Sequence, residues 1–334
     1  MNRSPSLSSI KIRHNIVVRN NGADGLNMGI VKILTCMPHP QGIIKNLLLM
    51  LILLLNGSVN AAFENIELMA GPAGMGSAYS AATQDTSALI WNPAGLARLS
   101  TPEIGISYLD LHGVLGYSFV GVAHPVRKGQ TLGAAILNSS DVEGISQERI
   151  VMLSSAIRIW KRLYVGINAK YFSTSVNLEQ IPLGRGTGWG TDLGIQYVLI
   201  TDWVRIGIVL PNLFSNLSYH RLEETVSKST YNESLLREWR IGSAVKINFD
   251  SGTPNRKPDA VLAAFEIANG VPLIGCEYRN DVQYGEFALR LGWRFGDGLT
   301  AGFGYQRGNI GLDYAFVNER YGSQTSLFSV RLFY

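Results

Sequence analysis

The chain is short of charge. Asp, Glu, Lys and Arg make up 16% of its 334 residues, where soluble domains carry roughly 25%. Long apolar runs are missing too: the longest, residues 47–55, falls well below the ~18 residues of a membrane-spanning helix. Cysteine is nearly absent. Cys36 lies in a segment expected to be removed, which leaves Cys276 alone and excludes an internal disulfide framework. Beyond residue 61 the histidines are His112, His124 and His220, with no ligand spacing, so no metal site is expected. The glycine-rich stretches 71–76 and 184–190 lack the Lys-Ser/Thr ending of a phosphate loop. A Gly-x-Ser-x-Gly elbow is also lacking. No catalytic residue, cofactor or enzymatic activity is predicted.

What is present points to strands in a membrane. Hydrophobic residues reach 46% and glycines number 36, yet the pattern offers no membrane helix. The run at 47–55 follows Lys45 and precedes Val59-Asn60-Ala61, the layout of a secretory signal peptide with a small-residue cleavage site. Cleavage after Ala61 is expected, with Met37 giving a leader of ordinary length and residues 1–36 an upstream extension. Residues 1–61 hold six of the 29 basic residues and one of the 25 acidic ones. The mature chain therefore has 23 basic and 24 acidic residues, a net charge of −1, and the basic balance of the whole chain is no sign of nucleic acid.

From residue 103 onward, alternating segments are separated by Gly, Asn, Asp and Pro. In residues 287–295 one face is Phe287, Leu289, Leu291, Trp293 and Phe295, and the other carries Ala288, Arg290, Gly292 and Arg294. Such rows fit a lipid-facing outer wall and a polar interior. Segments near 103–109, 115–123, 131–138, 147–159, 163–173, 191–199, 203–210, 240–249, 259–267, 273–279, 287–295, 301–306, 311–316 and 324–334 read as fourteen antiparallel strands; twelve also fit. Loops are expected outside at 174–190 and 211–239, whereas 296–298 is short for an external turn. The chain ends on an aromatic strand, Phe328, Val330, Leu332 and Tyr334 on one face, as a barrel whose last strand pairs with its first. The aromatics Trp160, Trp203, Trp239, Trp293, Tyr305 and Tyr334 read as interfacial girdles.

Residues 62–102 do not alternate. Gly74-Met75-Gly76-Ser77-Ala78-Tyr79, then Asp85 as a helix cap, then Trp91-Asn92-Pro93-Ala94-Gly95 make a compact, mostly uncharged element ahead of the first strand. Its natural place is inside the barrel of residues 103–334, as a hatch. Six charges are assigned to the inner wall: Glu277, Arg279, Arg290, Arg294, Asp313 and Arg331. They form either a self-neutralising network or a clamp for a ligand carboxylate.

The hatch motifs resemble those of the long-chain fatty acid transporter (FadL) family and its PorV/PorQ-like branch, which the Trp-Asn-Pro-Ala-Gly string favours. The resemblance implies an all-β transmembrane barrel in the outer membrane. It implies gating at Gly74, Gly76, Tyr79, Asp85, Trp91, Asn92, Pro93 and Gly95, and passive uptake of hydrophobic small molecules. A PorV-like role toward secreted proteins in type IX secretion is the alternative. Outer-membrane lipid and the barrel assembly machinery, reading the strand that ends at Tyr334, are the expected partners. Tyr334→Asp should lower the amount of assembled barrel several-fold, read as the heat-modifiable band in outer-membrane fractions; an unchanged band refutes the role of the ending.

Overall fold

The computed structural model describes residues 68–178, 181–200, 203–221, 230–249, 258–318 and 324–334. The expected leader and cleavage site lie outside the described residues. Fifteen strands join in one antiparallel sheet: β1 Glu103–Leu111, β2 Leu115–Arg127, β3 Gln130–Asp141, β4 Ser146–Trp160, β5 Leu163–Leu178, β6 Ile181–Ile200, β7 Val204–Arg221, β8 Thr230–Glu233, β9 Arg240–Phe249, β10 Asp259–Ala268, β11 Val271–Val282, β12 Gly285–Arg294, β13 Gly298–Arg307, β14 Ile310–Asn318 and β15 Gln324–Phe333. β8 is a short flap on the upper part of β7, and β7 pairs directly with β9 lower down. The wall therefore has fourteen strands, which decides against twelve. It closes where β1 pairs with β15, from Glu103↔Phe333 to Asp110↔Ser326. The last residue completes the seam: the Tyr334 N–H donates to the Pro102 carbonyl at 3.2 Å. Closure leaves no open sheet edge, which is what a sheet in hydrocarbon requires.

The outer face is apolar, with Leu289 57%, Leu291 60% and Phe328 58% exposed. Only lipid covers such rows without cost. The lower rim is taken as the end where β1 begins and β15 finishes. Its turns after β2, β4, β11 and β13 are tight. The upper rim is uneven. Over β10 to β13 it is low, with a two-residue Asn269-Gly270 turn in left-handed conformation (φ 49° and 88°) and a short turn through Gly296.

Over β5 to β7 the wall is tall, and here the sequence expectation needs correction. Much of 174–190 and 211–221 is strand, not loop. The glycine-rich run alternates: Arg185, Thr187 and Trp189 point outward, while Gly186, Gly188 and Gly190 leave inward space filled by Tyr219, Leu217 and Phe172. Glycine here is a packing choice for large neighbours, not a sign of an irregular chain. Residues 234–239 also turn inward, with Leu235 buried against Phe172 and Leu217.

A belt of glycines rings the inner wall at one level. Gly105, Gly121, Gly133, Gly166, Gly194, Gly207, Gly242, Gly275, Gly292 and Gly302 all face the segment that precedes β1. Four pairs lie directly across from one another: Gly105↔Gly121, Gly166↔Gly194, Gly207↔Gly242 and Gly275↔Gly292. A side chain at Gly194 would run into Asn92 and Pro93. Gly194→Leu should leave the heat-modifiable barrel intact, since strand pairing does not need the hatch, yet speed tryptic cleavage at Arg98 at least tenfold. Wild-type cleavage rates in that variant refute the seating described here.

Candidate functional site

The hatch runs from Leu68 to Ser100 inside the wall. It contains α1 (Ala70–Gly74), α2 (Ala88–Trp91) and a 3-10 turn, η1 (Pro93–Arg98). Apart from Gln84, Asp85, Ile90, Arg98 and Ser100, its residues are buried. Gly74 and Gly76 meet the wall as backbone: a Cβ on Gly74 would lie 3.0 Å from Gly302 Cα, and one on Gly76 2.7 Å from the Trp293 nitrogen. Gly76 and Ser77 are both left-handed (φ 61° and 65°), which turns the chain beneath β11 and β12. Tyr79 is 3% exposed. Burial holds its phenol protonated, and the nearby Asp85 carboxylate pushes the same way.

Wall side chains satisfy the hatch backbone. Ser329 Oγ accepts from Ala70 N–H at 2.7 Å and Ser107 Oγ from Met69 N–H at 3.3 Å. Thr300 Oγ1 accepts from Gly76 N–H at 2.9 Å and donates to the Gly74 carbonyl at 3.1 Å. Glu266 accepts from Ser80 N–H at 2.8 Å. Gln196 Nε2 donates to the Ser80 carbonyl and to Thr83 Oγ1, at 2.9 and 2.7 Å. Glu103 accepts from the Thr86 hydroxyl at 2.6 Å. Sequence reading missed Gln196, Glu266 and Glu103. Their signal was a polar residue at an inward position of an otherwise apolar or small row.

Asn92 is the central tie. Its Oδ1 caps η1 by accepting from Ala94 N–H at 3.1 Å, and its Nδ2 donates to the Ser80 and Ile195 carbonyls at 2.8 and 3.2 Å. Pro93 opens η1, and a Cβ on Gly95 would strike Thr83. Trp91 Nε1 donates to the Leu68 carbonyl at 3.0 Å, and the Arg240 guanidinium lies 5.0 Å over its ring. Asp85 does not cap α2 as expected. The cap position is Ser87, and Asp85 sits two residues earlier, accepting from the Ser87 N–H at 3.0 Å and from its hydroxyl. That Asx geometry competes with capping because the short side chain reaches its own near backbone first.

Five of the six predicted wall charges form one alternating chain. Glu277 binds Arg279 at 2.5 Å and Arg290 at 2.6 Å. Arg290 reaches Asp313 at 2.6 Å, Asp313 binds Arg331 at 3.1 Å, and Arg331 meets Asp85 of the hatch at 3.6 Å. Arg290 belongs to β12 and Asp313 to β14, so the guanidinium crosses β13. It can do so because β13 presents Gly302 and Gly304 there, and a Cβ on Gly304 would lie 3.0 Å from Arg290 NH1. Glu286 extends the chain from Arg279 at 3.3 Å. Arg294 is the exception: it stands at the upper end of β12, past the Gly292–Gly76 contact, apart from this chain.

Above the belt the bore is apolar on the side of β1 to β4 and β15. Leu109, Tyr117, Phe119, Leu137, Met152 and Leu327 pack with Met69 and Leu89 of the hatch. On β5 to β7 a polar relay joins the hatch to the inturned upper segment. Asn168 Nδ2 donates to the Leu89 carbonyl at 2.9 Å and to Asp192 at 3.0 Å. Lys170 bridges Asp192 and Asn212, each at 2.6 Å, and Asn212 Nδ2 donates to the Leu236 carbonyl at 3.3 Å.

No family model matches the sequence, and no curated protein is similar to it. Solved structures are. The monoaromatic hydrocarbon channel CymD superposes with a TM-score of 0.52 at 13% identity, over 82% of this chain and 99% of that one. A deltaS2 mutant of the monoaromatic hydrocarbon channel TodX gives 0.50 at 13% identity, over 81% and 98%. The chain shares the closed antiparallel β-barrel fold of these two channels.

Proposed function

We propose that the protein is an outer-membrane channel for passive uptake of hydrophobic small molecules, gated by residues 62–102, with residues 1–61 removed as a leader. The carrying observation is the apolar upper bore, which leads directly onto a hatch seated on a glycine belt. An apolar solute gains by leaving water for the side of Tyr117, Phe119 and Leu137, while the buried Lys170–Asp192 pair is confined to the wall at β5 and β6. The hydrocarbon channels CymD and TodX, which share the fold, support the same reading. Gating belongs to the hatch: Gly74 and Gly76 allow it to slide along the wall, and Asn92-Pro93 forms the hinge. The wall charges Glu277, Arg279, Arg290, Asp313 and Arg331 position Asp85 and do not clamp a ligand carboxylate, because they already neutralise one another.

A second reading rests on the tall wall. Leu178, Ile181, Leu183 and Tyr231 are exposed at its top. Apolar residues at the tip of the wall suit a protein partner, as a secretion role would need. Ile181→Asn with Tyr231→Asn should leave uptake unchanged and abolish export only if the second reading holds.

The gate can be tested with a lock. Ala70 N–H donates to Ser329 Oγ at 2.7 Å, so the two positions touch, and Ala70→Cys with Ser329→Cys on a Cys276→Ser background can be joined directly or through a short reducible bis-methanethiosulfonate linker. In proteoliposomes, uptake of a fluorescent aromatic hydrocarbon should fall at least tenfold in the oxidised variant and recover on reduction. Equal uptake in both redox states refutes hatch movement. Wild-type uptake no faster than protein-free vesicles refutes the channel.

A further inference from the structure

The periplasmic mouth of the proposed channel holds a pocket that the hatch and wall chemistry leave unused. Where η1 ends, the lower rims of β2 to β5 enclose a cavity of about 620 Å³. Arg98, Arg127, Lys128 and Arg158 line it together with Ser100 and Tyr164, and no carboxylate is among the described residues that line it. Arg127 Nε donates to Gln130 Oε1 at 2.5 Å, and Arg98 NH2 to Gln84 Oε1 at 3.4 Å. The Arg98 guanidinium also lies 5.8 Å over the Tyr164 ring.

The pocket is built, not incidental. The Arg158 N–H donates to the Gly129 carbonyl at 2.6 Å, which pins the Lys128-Gly129 turn beside Arg158. Gly129 is left-handed (φ 80°), and a Cβ there would lie 2.9 Å from Arg158 Cβ. The turn thus gathers the exposed Arg127, Lys128 and Arg158 at one stretch of the rim, where their summed positive potential favours an anion.

The surroundings say which anion. Val126 (56% exposed), Ile159 (50%) and Trp160 (70%) stand on the outer face next to these cations, so the site straddles the level where lipid gives way to water. The following turn adds exposed Lys161 and Arg162. We propose that this pocket binds the phosphate group of an anionic phospholipid, whose chains lie along the outer rows of β2 to β4. A Lys or Arg held near an anionic membrane surface gains about 1 kcal/mol, a factor of about five each. The proposal depends on the barrel sitting in a bilayer and not on what crosses it.

Native mass spectrometry of the purified full-length mature protein tests it. Phosphatidylglycerol should be retained over phosphatidylethanolamine. Retention should fall about fivefold in Arg127→Gln and about 25-fold in Arg127→Gln/Arg158→Gln, and should recover in the Arg→Lys versions, which keep the charge. Heat-modifiability confirms that each variant is folded. If inorganic phosphate fails to displace the lipid, the source is the headgroup. If phosphate alone binds with the same residue dependence, the site stands with a soluble anion as its source. Equal retention of the two lipids, or equal retention by wild type and the double Gln variant, overturns the proposal.

Discussion

A compact segment can sit inside a barrel only if its own backbone finds partners on the wall, because little water reaches the contact and each unmade bond costs about 1–3 kcal/mol. This chain meets the requirement by two devices that alternate around the ring. Glycines remove the wall's side chains where hatch backbone must touch strand backbone, as at Gly74 against Gly302 and Gly76 against Gly292. Between them, single polar side chains reach inward to backbone groups, as Ser329, Thr300, Glu266, Gln196 and Asn168 do. Remove the first device and the hatch is lifted off the wall. Remove the second and it sits down with orphaned polar groups. The abundance of glycine therefore follows from having something inside the barrel, not from flexibility.

The charge chain is a different sort of tie. Buried ion pairs return little net stability, since desolvation offsets most of the attraction, but breaking one leaves an uncompensated charge. Arg279, Arg290 and Arg331 alternate with Glu277, Asp313 and Asp85, and each guanidinium bridges two carboxylates. Most of that order lies within the wall, and the hatch enters it at its longest link, Asp85 to Arg331 at 3.6 Å. The network fixes the register of β11 to β15 and presents one cation to the hatch.

The barrel was legible because its signal is local: alternation survives in every strand near the C-terminus, and Tyr334 closes the seam that its position implies. Glu277, Arg279, Arg290, Asp313 and Arg331 were legible for the same reason, since inward parity is read directly from the sequence. Two things were not. Residues 184–190 looked like a loop because glycine normally punctuates strands, and only the bulky Tyr219, Leu217 and Phe172 on neighbouring strands explain them. The roles of Gln196, Glu103 and Glu266 depend on which hatch carbonyl or N–H stands opposite. That is a contact across 100 or more positions for Gln196 and Glu266, and across the hatch-to-strand corner for Glu103. Arg294 shares the parity of Arg290 but stands at another height, a coordinate that alternation does not encode.

Height also decides where a moving hatch would part from the wall. Beside β11 to β15 it would break the Asp85–Arg331 contact, although Arg331 keeps Asp313 as its partner. There it would also lose the paired bonds of Gly74 and Gly76 to Thr300. Beside β5 to β7 the ties are mostly neutral amides, Asn168 to Leu89, Gln196 to Ser80 and Asn92 to Ile195, each worth about 0.5–1.5 kcal/mol net, with Arg205 to Gln84 the charged one. These bonds can be exchanged one at a time with water or with each other. The same side carries the relay from Leu89 through Asp192 and Asn212 to Leu236. The inturned segment, whose Leu235 packs on Phe172, and the hatch are thus joined by one continuous run of hydrogen bonds on the tall wall.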